Sequence, residues 1–516
     1  MKIVTAAQMR EIDARASQEG LTPAVLMEKA GLAVASELRI WAGSVVGKRI
    51  LGLIGPGNNG GDGLVALRYL HDWGANVMAY LVSGKRRDDS NLEILTSRRV
   101  RVEALDSDGL NSFGQELAGA DIVLDAVLGT GRNRPLTGAV KEALERVRVE
   151  RARRKWLKVV AVDLPSGMDA DTGVTDPSTV SADLTISLHL PKLGAYTSHG
   201  FSRIGKLVVA DIGIPAGLSD DVNNELITAN MVSSILPNRP ADSNKGTFGR
   251  AMVVAGSVNY AGAASLACLG AARSGSGLVT LASVPSVLAA VAAHSMEVTH
   301  IPLSVDDTGS VSGEAWKDLI EWLPNYRSLL IGPGLGQSEG TRDFVRSLIG
   351  VVKPLGKGVV LDADGLNNLA GVEGWWEYRD GQTVITPHPG EMARLTGLSV
   401  PEVQVDRLRI ASRIAQEWGV VVVLKGAFTV VASPEGNLRI SPFANPALAT
   451  AGTGDVLSGI IVGLMAQGLG AFDAATCGVY IHAAAGEMLR EEMGEAGGLA
   501  SDLLSSIPQV MKSLKE

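Results

Sequence analysis

Three observations predict an α/β architecture built on mostly parallel sheets. Short apolar runs alternate with helix-like segments along the whole chain, the pattern of repeated strand–helix–strand units. The 61 glycines collect after those runs rather than in a period, as tight loops at strand ends require. Nearly every polar motif follows the carboxyl end of an expected strand, where open α/β sheets bind their ligands.

In chain order, residues 49–54 read as a strand, Asn58-Asn59-Gly60-Gly61-Asp62-Gly63 as a loop, 64–73 as a helix and 76–82 as the next strand. That is one βαβ unit. Further strands are expected at 122–127, 159–162, 184–188 and 207–210. A polar, patternless stretch at 216–224 reads as a linker, giving domains of residues 1–220 and 221–516. The second half restarts with a strand at 251–255, a helix at 261–274 and a strand at 278–281. Strands follow at 329–331, 359–361, 384–386 and 420–424, and 428–432 with 438–440 reads as a hairpin. A length of 516 residues also exceeds one ordinary core.

Composition narrows the function classes. Hydrophobic residues at 46% and charged ones at 20% suit a soluble folded protein. A net charge of −8 with 4% aromatics argues against a nucleic-acid surface. Cys268 and Cys477 lie in apolar helical stretches as core thiols, with no metal spacing or disulfide framework. Arg10, Glu11 and Asp13 interrupt the N-terminus before a signal-like stretch can form, and no segment is long and apolar enough to span a bilayer. A soluble cytoplasmic protein without membrane partners is expected.

The first half carries a glycine-rich anion cradle, the Asn58–Gly63 run, whose glycines allow positive φ and close backbone approach. Its amides and carboxylate add oxygens for a hydroxyl or cation, which a bare strand-to-helix turn does not need. Asp125 leads into Gly129-Thr130-Gly131-Arg132-Asn133-Arg134-Pro135, a loop with two cations suited to a pyrophosphate. Asp163 and Ser166 end another strand.

The second half carries a different cradle, Gly452-Thr453-Gly454-Asp455, opening an apolar helix. Amides there can stabilise a transferring phosphoryl group, and Asp455 can take a proton from an acceptor hydroxyl. An N-capped core helix is the plainer alternative, set against several companion motifs. These are Gly332–Gly336, Asp362-Ala363-Asp364-Gly365-Leu366-Asn367, Thr386-Pro387-His388-Pro389-Gly390-Glu391 and Lys425-Gly426-Ala427-Phe428-Thr429. Lys425 is either a phosphate ligand or a surface turn lysine, and His388 either a ligand contact or a structural histidine.

With those residues in view, LMEKAG (26–31), GPGNNGGDG (55–63), DAVLGTGRNRP (125–135) and DLPSGMD (163–169) resemble the YjeF N-terminal, or NAD(P)HX epimerase, family across the whole first half. The resemblance implies a Rossmann-like three-layer domain acting on NADH or NADPH hydrated at C6. Asn58, Asn59, Gly60, Gly61, Asp62, residues Gly129 to Pro135 and Asp163 would contact that substrate. Asn59, Asp125 and Ser166 would hold K⁺, and Asp163 is the candidate proton-handling group.

TPHPGE (386–391), KGAFT (425–429) and NPALATAGTGD (445–455) resemble the ribokinase-like superfamily, and within it the ADP- or ATP-dependent NAD(P)HX dehydratases. A ribokinase-like three-layer domain is implied, with Lys425, Gly426, Ala427, Phe428, Thr429 and Gly454 on the nucleotide. Ala263, Gly334, His388 and Asp455 would contact the hydrated cofactor, with Mg²⁺ on the nucleotide and Asp455 as base. Asn244-Lys245-Gly246 departs from the family's usual His-Lys-Gly. The resemblance also implies assembly of the chain into homo-oligomers. The competing readings are a small-molecule kinase with a regulatory nucleotide-binding first half, and a non-catalytic binding protein.

Overall fold

Alternation along a single strand sets the layers of the first unit, which spans Lys2–Asn223. In β1 (Arg49–Ile54), Ile50 and Ile54 join one apolar cluster while Leu51 and Leu53 join another, as the two-residue period of a strand requires. The first cluster includes Val34 and Leu38 of helix Pro23–Ala42 and Leu64, Leu67 and Leu70 of helix Asn58–Asp72. The second includes Phe113 of helix Ser107–Leu117 and Leu144 and Val147 of helix Gly138–Arg153. Helices therefore cover both faces of the sheet, a three-layer arrangement. The structure, a computed structural model, describes residues 1–82, 89–105, 107–131, 135–378 and 382–516.

The remaining strands of this sheet are β2 (Asn76–Leu81), β3 (Arg101–Ala104), β4 (Ile122–Ala126), β5 (Lys158–Val162), β6 (Leu184–Leu188) and β7 (Lys206–Ala210). Their order is β3-β2-β1-β4-β5-β6-β7, and every pairing is parallel. The chain winds outward from β1 in one direction and then from β4 in the other. That reversal opens a crevice beyond the carboxyl ends of β1 and β4.

The second unit, Asn224–Glu516, has a ten-stranded sheet. Its strands are β8 (Asn224–Leu226), β9 (Arg250–Val254), β10 (Leu278–Ser283), β11 (Thr299–Pro302), β12 (Ser328–Ile331), β13 (Gly358–Leu361), β14 (Thr383–Ile385), β15 (Val421–Leu424), β16 (Val430–Ala432) and β17 (Leu438–Ile440). The order β11-β10-β9-β12-β13-β14-β15-β16-β17-β8 puts a second reversal between β9 and β12. Only the β15–β16 and β16–β17 pairings are antiparallel among the described strands. Helices Thr453–Ala466 and Ala261–Arg273 pack closely because Gly459 and Gly270 leave no side chain between them. A Cβ on Gly459 would lie 2.2 Å from the Ala267 carbonyl oxygen, and one on Gly270 2.7 Å from that of Val456.

Three details differ from the sequence reading. The Asn58–Gly63 run is no loop: it forms the opening turns of helix Asn58–Asp72, and Gly60, Gly61 and Gly63 are not in the positive-φ region. Their purpose is close approach, since a Cβ on Gly63 would sit 2.4 Å from the Ala126 Cβ and one on Gly61 2.5 Å from the Met27 Sδ. The stretch at 216–224 contains a 3₁₀ turn, Ala216–Ser219, and ends by entering β8, the edge strand beside β17. Helices Ala6–Gln18 and Pro23–Ala42 precede the first strand. Each is opened by a threonine N-cap, Thr5 in a capping box with Gln8 and Thr22 ahead of Pro23.

Candidate functional site

A cleft that carries polar side chains among its lining lies at each reversal of strand order. In the first unit, helix Asn58–Asp72 begins just beyond β1 with Gly57 as an N-cap that offers no side-chain acceptor. The helix therefore presents its positive end to the crevice. The cleft, about 720 Å³, is lined by Asn58, Asn59, Asp62, Gly129, Thr130 and Gly131, with Pro135 and Asp163. That volume suits a sizeable small molecule. Gly60 and Gly61 are buried in the first helical turns, and Arg132, Asn133 and Arg134 lie outside the described residues.

Asp163 occupies the bend after β5 with φ of 65°, a left-handed conformation uncommon for a residue with a side chain. Its Oδ1 accepts hydrogen bonds from the Lys192 ammonium and, at 3.1 Å, from the Leu188 amide. Lys192 is 1% exposed and donates also to the Leu188 carbonyl at 3.1 Å. Oδ2 points elsewhere: a Cβ on Gly129 would lie 3.4 Å from it and 3.2 Å from the Asn59 Oδ1. Gly129 thus leaves open the place where the two oxygens converge. Lys192 is a residue that the motifs did not reveal.

Asp125 is 1% exposed and is held by Ser166, whose hydroxyl and amide both donate to it. The Val127 amide donates to the same carboxylate at 3.3 Å, and the Leu128 amide to the Ser166 hydroxyl at 2.9 Å. Burial raises the Asp125 carboxyl above its ordinary range, against the pull of Ser166 and the two amides. No cationic side chain among the described residues pairs with it. A buried carboxylate amid hydroxyl, amide and peptide oxygens fits a hard monovalent cation.

In the second unit, a cleft of about 390 Å³ is lined by Tyr260, Ala263, Gly334, Gly336, Asp364 and Asp455. Gly334, at φ of 64°, brings the segment after β12 against Ala263, whose Cβ lies 3.0 Å from where a Gly334 Cβ would stand. Helix Thr453–Ala466 starts here behind Gly452, whose φ of 92° provides the entry turn. In this cradle a glycine does supply positive φ.

Lys425, just past β15, ties the motifs together. Its ammonium is 2.7 Å from Asp362 Oδ1 and 3.8 Å from Glu391 Oε2, and a Cβ on Gly454 would lie 3.3 Å from it. Burial alone would lower its pKa, but Asp362 and Glu391 outweigh that and hold it charged. Asp362 is 1% exposed, and its Oδ2 has no hydrogen-bond partner among the described residues. Burial raises Glu391, with Lys425 opposing and Asp362 adding to the rise. Asp455 is pushed up to about 7, by burial first and then by Asp362, against the pull of Lys425. A carboxyl at that value can exchange a proton near neutrality. Asp362 and Glu391 had appeared in motifs but without a role.

His388 caps helix Pro389–Thr396: its Nδ1 accepts from the amides of Gly390 at 3.0 Å and Glu391 at 3.3 Å. That leaves Nε2 as the protonated nitrogen of the neutral ring, a donor. Burial lowers the His388 pKa, helped by Lys425 and Arg394. Glu391 accepts from the His388 amide at 2.7 Å and so links His388 to Lys425. In the Lys425–Thr429 loop, Gly426 has φ of 140° and Phe428 φ of 52°, and the Thr429 hydroxyl donates to the Gly426 carbonyl at 2.8 Å. Asn244 closes its own turn by accepting from the Gly246 amide at 2.8 Å. Cys268 and Cys477 are buried, and burial raises both thiols. No helix among the described residues is long and apolar enough to cross a membrane.

Residues 23–194 match the family model described as YjeF-related protein N-terminus, and residues 251–509 that described as NAD(P)H-hydrate dehydratase. The bifunctional NAD(P)H-hydrate repair enzyme Nnr of Moorella thermoacetica is 41% identical over 525 residues, covering 100% of this chain and 98% of the relative. The enzyme of that name from Escherichia coli is 34% identical over 501 residues, 95% of this chain and 90% of the relative. Among solved structures, a ribokinase-like superfamily protein from Enterococcus faecalis aligns with a TM-score of 0.50 at 23% identity. It covers 57% of this chain and 98% of its own, and shows the fold alone.

Proposed function

Since the chain belongs to the bifunctional NAD(P)H-hydrate repair enzymes, combining an epimerase with a dehydratase, we propose a division of labour between its two clefts. The first interconverts R- and S-NAD(P)HX. The second dehydrates S-NAD(P)HX to NAD(P)H at the expense of ADP or ATP. Hydration yields both epimers, so an epimerase beside an S-selective dehydratase makes the whole pool recoverable.

In the second cleft the C6 hydroxyl loses its proton to Asp455 as its oxygen attacks the terminal phosphoryl group of the nucleotide. The Lys425 ammonium and the free amides opening helix Thr453–Ala466 stabilise the charge that develops. Hydroxide is a poor leaving group, whereas phosphate is a good one. The C6–O bond then breaks, the C5 proton is lost, and the dihydropyridine double bond forms between C5 and C6. With ADP the products are AMP, phosphate and NAD(P)H. Asp362 Oδ2, without a hydrogen-bond partner among the described residues, is an oxygen that would serve Mg²⁺ on the nucleotide, where the ion would neutralise phosphate charge. The Lys425–Thr429 loop and Gly454 take the nucleotide, and Ala263, Gly334 and His388 the hydrated cofactor. The observation that carries this assignment is the meeting of Lys425, Gly454 and a near-neutral Asp455 at one helix start.

In the first cleft Asp163 handles a proton at the C6 centre, and the positive end of helix Asn58–Asp72 receives a phosphate. Asn59, Asp125 and Ser166 would hold K⁺, which would supply charge that orders the strand ends, without redox or Lewis-acid chemistry.

The test is to incubate the protein with mixed R- and S-NADHX, K⁺, Mg²⁺ and ADP and follow NADH. Recovery of the whole pool, faster than spontaneous epimerisation permits, is expected. A halt after the S fraction would remove the epimerase. No recovery with ADP or ATP, together with a stable phosphorylated product from another substrate, would favour a kinase.

A further inference from the structure

Helix Ala6–Gln18 carries none of the motif residues, yet four of its residues line the first site. Met9, Ile12 and Ala16 bury one side of this helix. Met9, Arg10, Asp13 and Ser17, at helical spacing, line the same cleft as Asn59, Gly129 and Asp163. No hydrogen bond from a described residue reaches the Asp13 carboxylate, in contrast to Asp163, whose Oδ1 is tied to Lys192 and the Leu188 amide. Burial raises the Asp13 carboxyl above its ordinary range; the Lys192 charge opposes this and the Asp163 charge adds to it. Three carboxyls thus face one cleft, those of Asp13, Asp62 and Asp163; Asp163 is bound to a cation and Asp13 is not, an arrangement that separates acid and base duties.

Accepting the epimerase reading of this cleft, we propose that Asp13 is a second proton-handling residue there, acting on the C6 oxygen opposite Asp163. Inversion at C6 needs two proton transfers. The Asp13 carboxyl gives its proton to the C6 hydroxyl, and the C6–O bond breaks as the N1 lone pair forms an iminium. Water leaves with that bonding pair. A water molecule then adds to C6 from the other face, and its excess proton passes to Asp163. No C–H bond breaks, and no oxidant or reductant is consumed. The reverse reaction uses the same two groups with roles exchanged, and solvent in the open cleft resets their protons.

The experiment uses the full chain with K⁺ and pure R-NADHX, without nucleotide, in ¹⁸O-labelled water, separating epimers by chromatography. S-NADHX formed by the wild-type protein is expected to carry ¹⁸O, and Asp13→Asn to lower kcat about 10²-fold with KM within about threefold. Formate is expected to restore Asp13→Ala at least about tenfold while leaving the wild type unaffected, a rescue that a structural role would not give. Dehydration of S-NADHX with ADP and Mg²⁺ by the same preparations reports an intact second unit. An Asp13→Asn rate within about threefold of wild type, S product without ¹⁸O, or a loss that formate does not lift would each overturn the proposal. A wild-type chain that leaves R-NADHX unchanged overturns the epimerase reading instead.

Discussion

The two clefts are built on the same topological feature and yet balance charge in opposite ways. Each sits where strand order reverses, between β1 and β4 in one unit and β9 and β12 in the other. In the first, a buried lysine, Lys192, is bound to one carboxylate, Asp163, and no cationic side chain among the described residues pairs with the buried Asp125. In the second, Asp362, Glu391 and Asp455 crowd around a single lysine, Lys425, and the surplus negative charge contributes to lifting Asp455 to about 7. The difference follows the chemistry. Epimerisation moves protons without net charge transfer, whereas phosphorylation requires a base strong enough to activate an alcohol beside a cation that meets phosphate.

The largest effect that would break this comparison is reciprocal. Asp455→Asn is expected to lower dehydration about 10³-fold or more and leave epimerisation intact, and Asp163→Asn to do the reverse by about 10²–10³-fold. Separate assays of each reaction on each variant decide it; a loss of both activities in either folded variant would show that the sites are not independent. The stability consequence has a definite sign. Asp455 rises from an ordinary value of 3.8 to about 7 on folding, so the folded chain retains a proton that the unfolded chain has lost between those values. The favourable contribution is fully present below the lower value and lost as pH rises through about 7. Removing that ionisation with asparagine should therefore raise Tm at pH 8 relative to wild type while lowering dehydration, as expected where function holds a charge in an unfavourable place.

A smaller effect sharpens the electrostatic account. With Asp455 as the base, dehydratase kcat/KM should rise about tenfold per pH unit below about 7 and level off above it. Lys425 lowers Asp455, so Lys425→Met should move that limb to higher pH as well as raise KM for the nucleotide by about 10–100-fold. A pH–rate profile at limiting S-NADHX measures the shift. An unmoved limb would mean that another group provides the base.

Much of this was legible in the sequence, because both cradles and their companions are contiguous runs at strand ends. Asp455 with Gly454, and Asn59 with Asp62, could be singled out from neighbours in the chain. What could not be read were partners supplied from afar: Lys192 lies 29 residues beyond Asp163, and Lys425 63 residues beyond Asp362. Nothing in Pro191-Lys192-Leu193 announces a buried cation, and Asp13 looked only like a charge interrupting a signal-like stretch. The edge strands β3, β8 and β11 were missed for a related reason. All three are short and only partly buried, so they lack the apolar run that marks a central strand.

The misplaced start of helix Asn58–Asp72 leads to the smallest predicted effect and the most direct test of what the glycines do. Each glycine in a helix costs about 1 kcal/mol relative to alanine, so by propensity alone replacing one should stabilise. Packing argues the opposite for Gly63, whose added Cβ would meet the Ala126 Cβ at 2.4 Å and the Ile54 Cδ1 at 3.0 Å. Both atoms belong to strands that form the floor of the helix; the Ile54 Cδ1 can turn aside, but the Ala126 Cβ is fixed to its backbone and cannot. Overpacking of this kind typically costs about 1–3 kcal/mol, enough to outweigh the propensity gain. Gly63→Ala is therefore expected to destabilise the first unit by a net amount of about 1–2 kcal/mol, read by denaturant unfolding with a first-unit probe such as Trp73. If instead the variant is more stable, close packing is not what the glycine at this position serves.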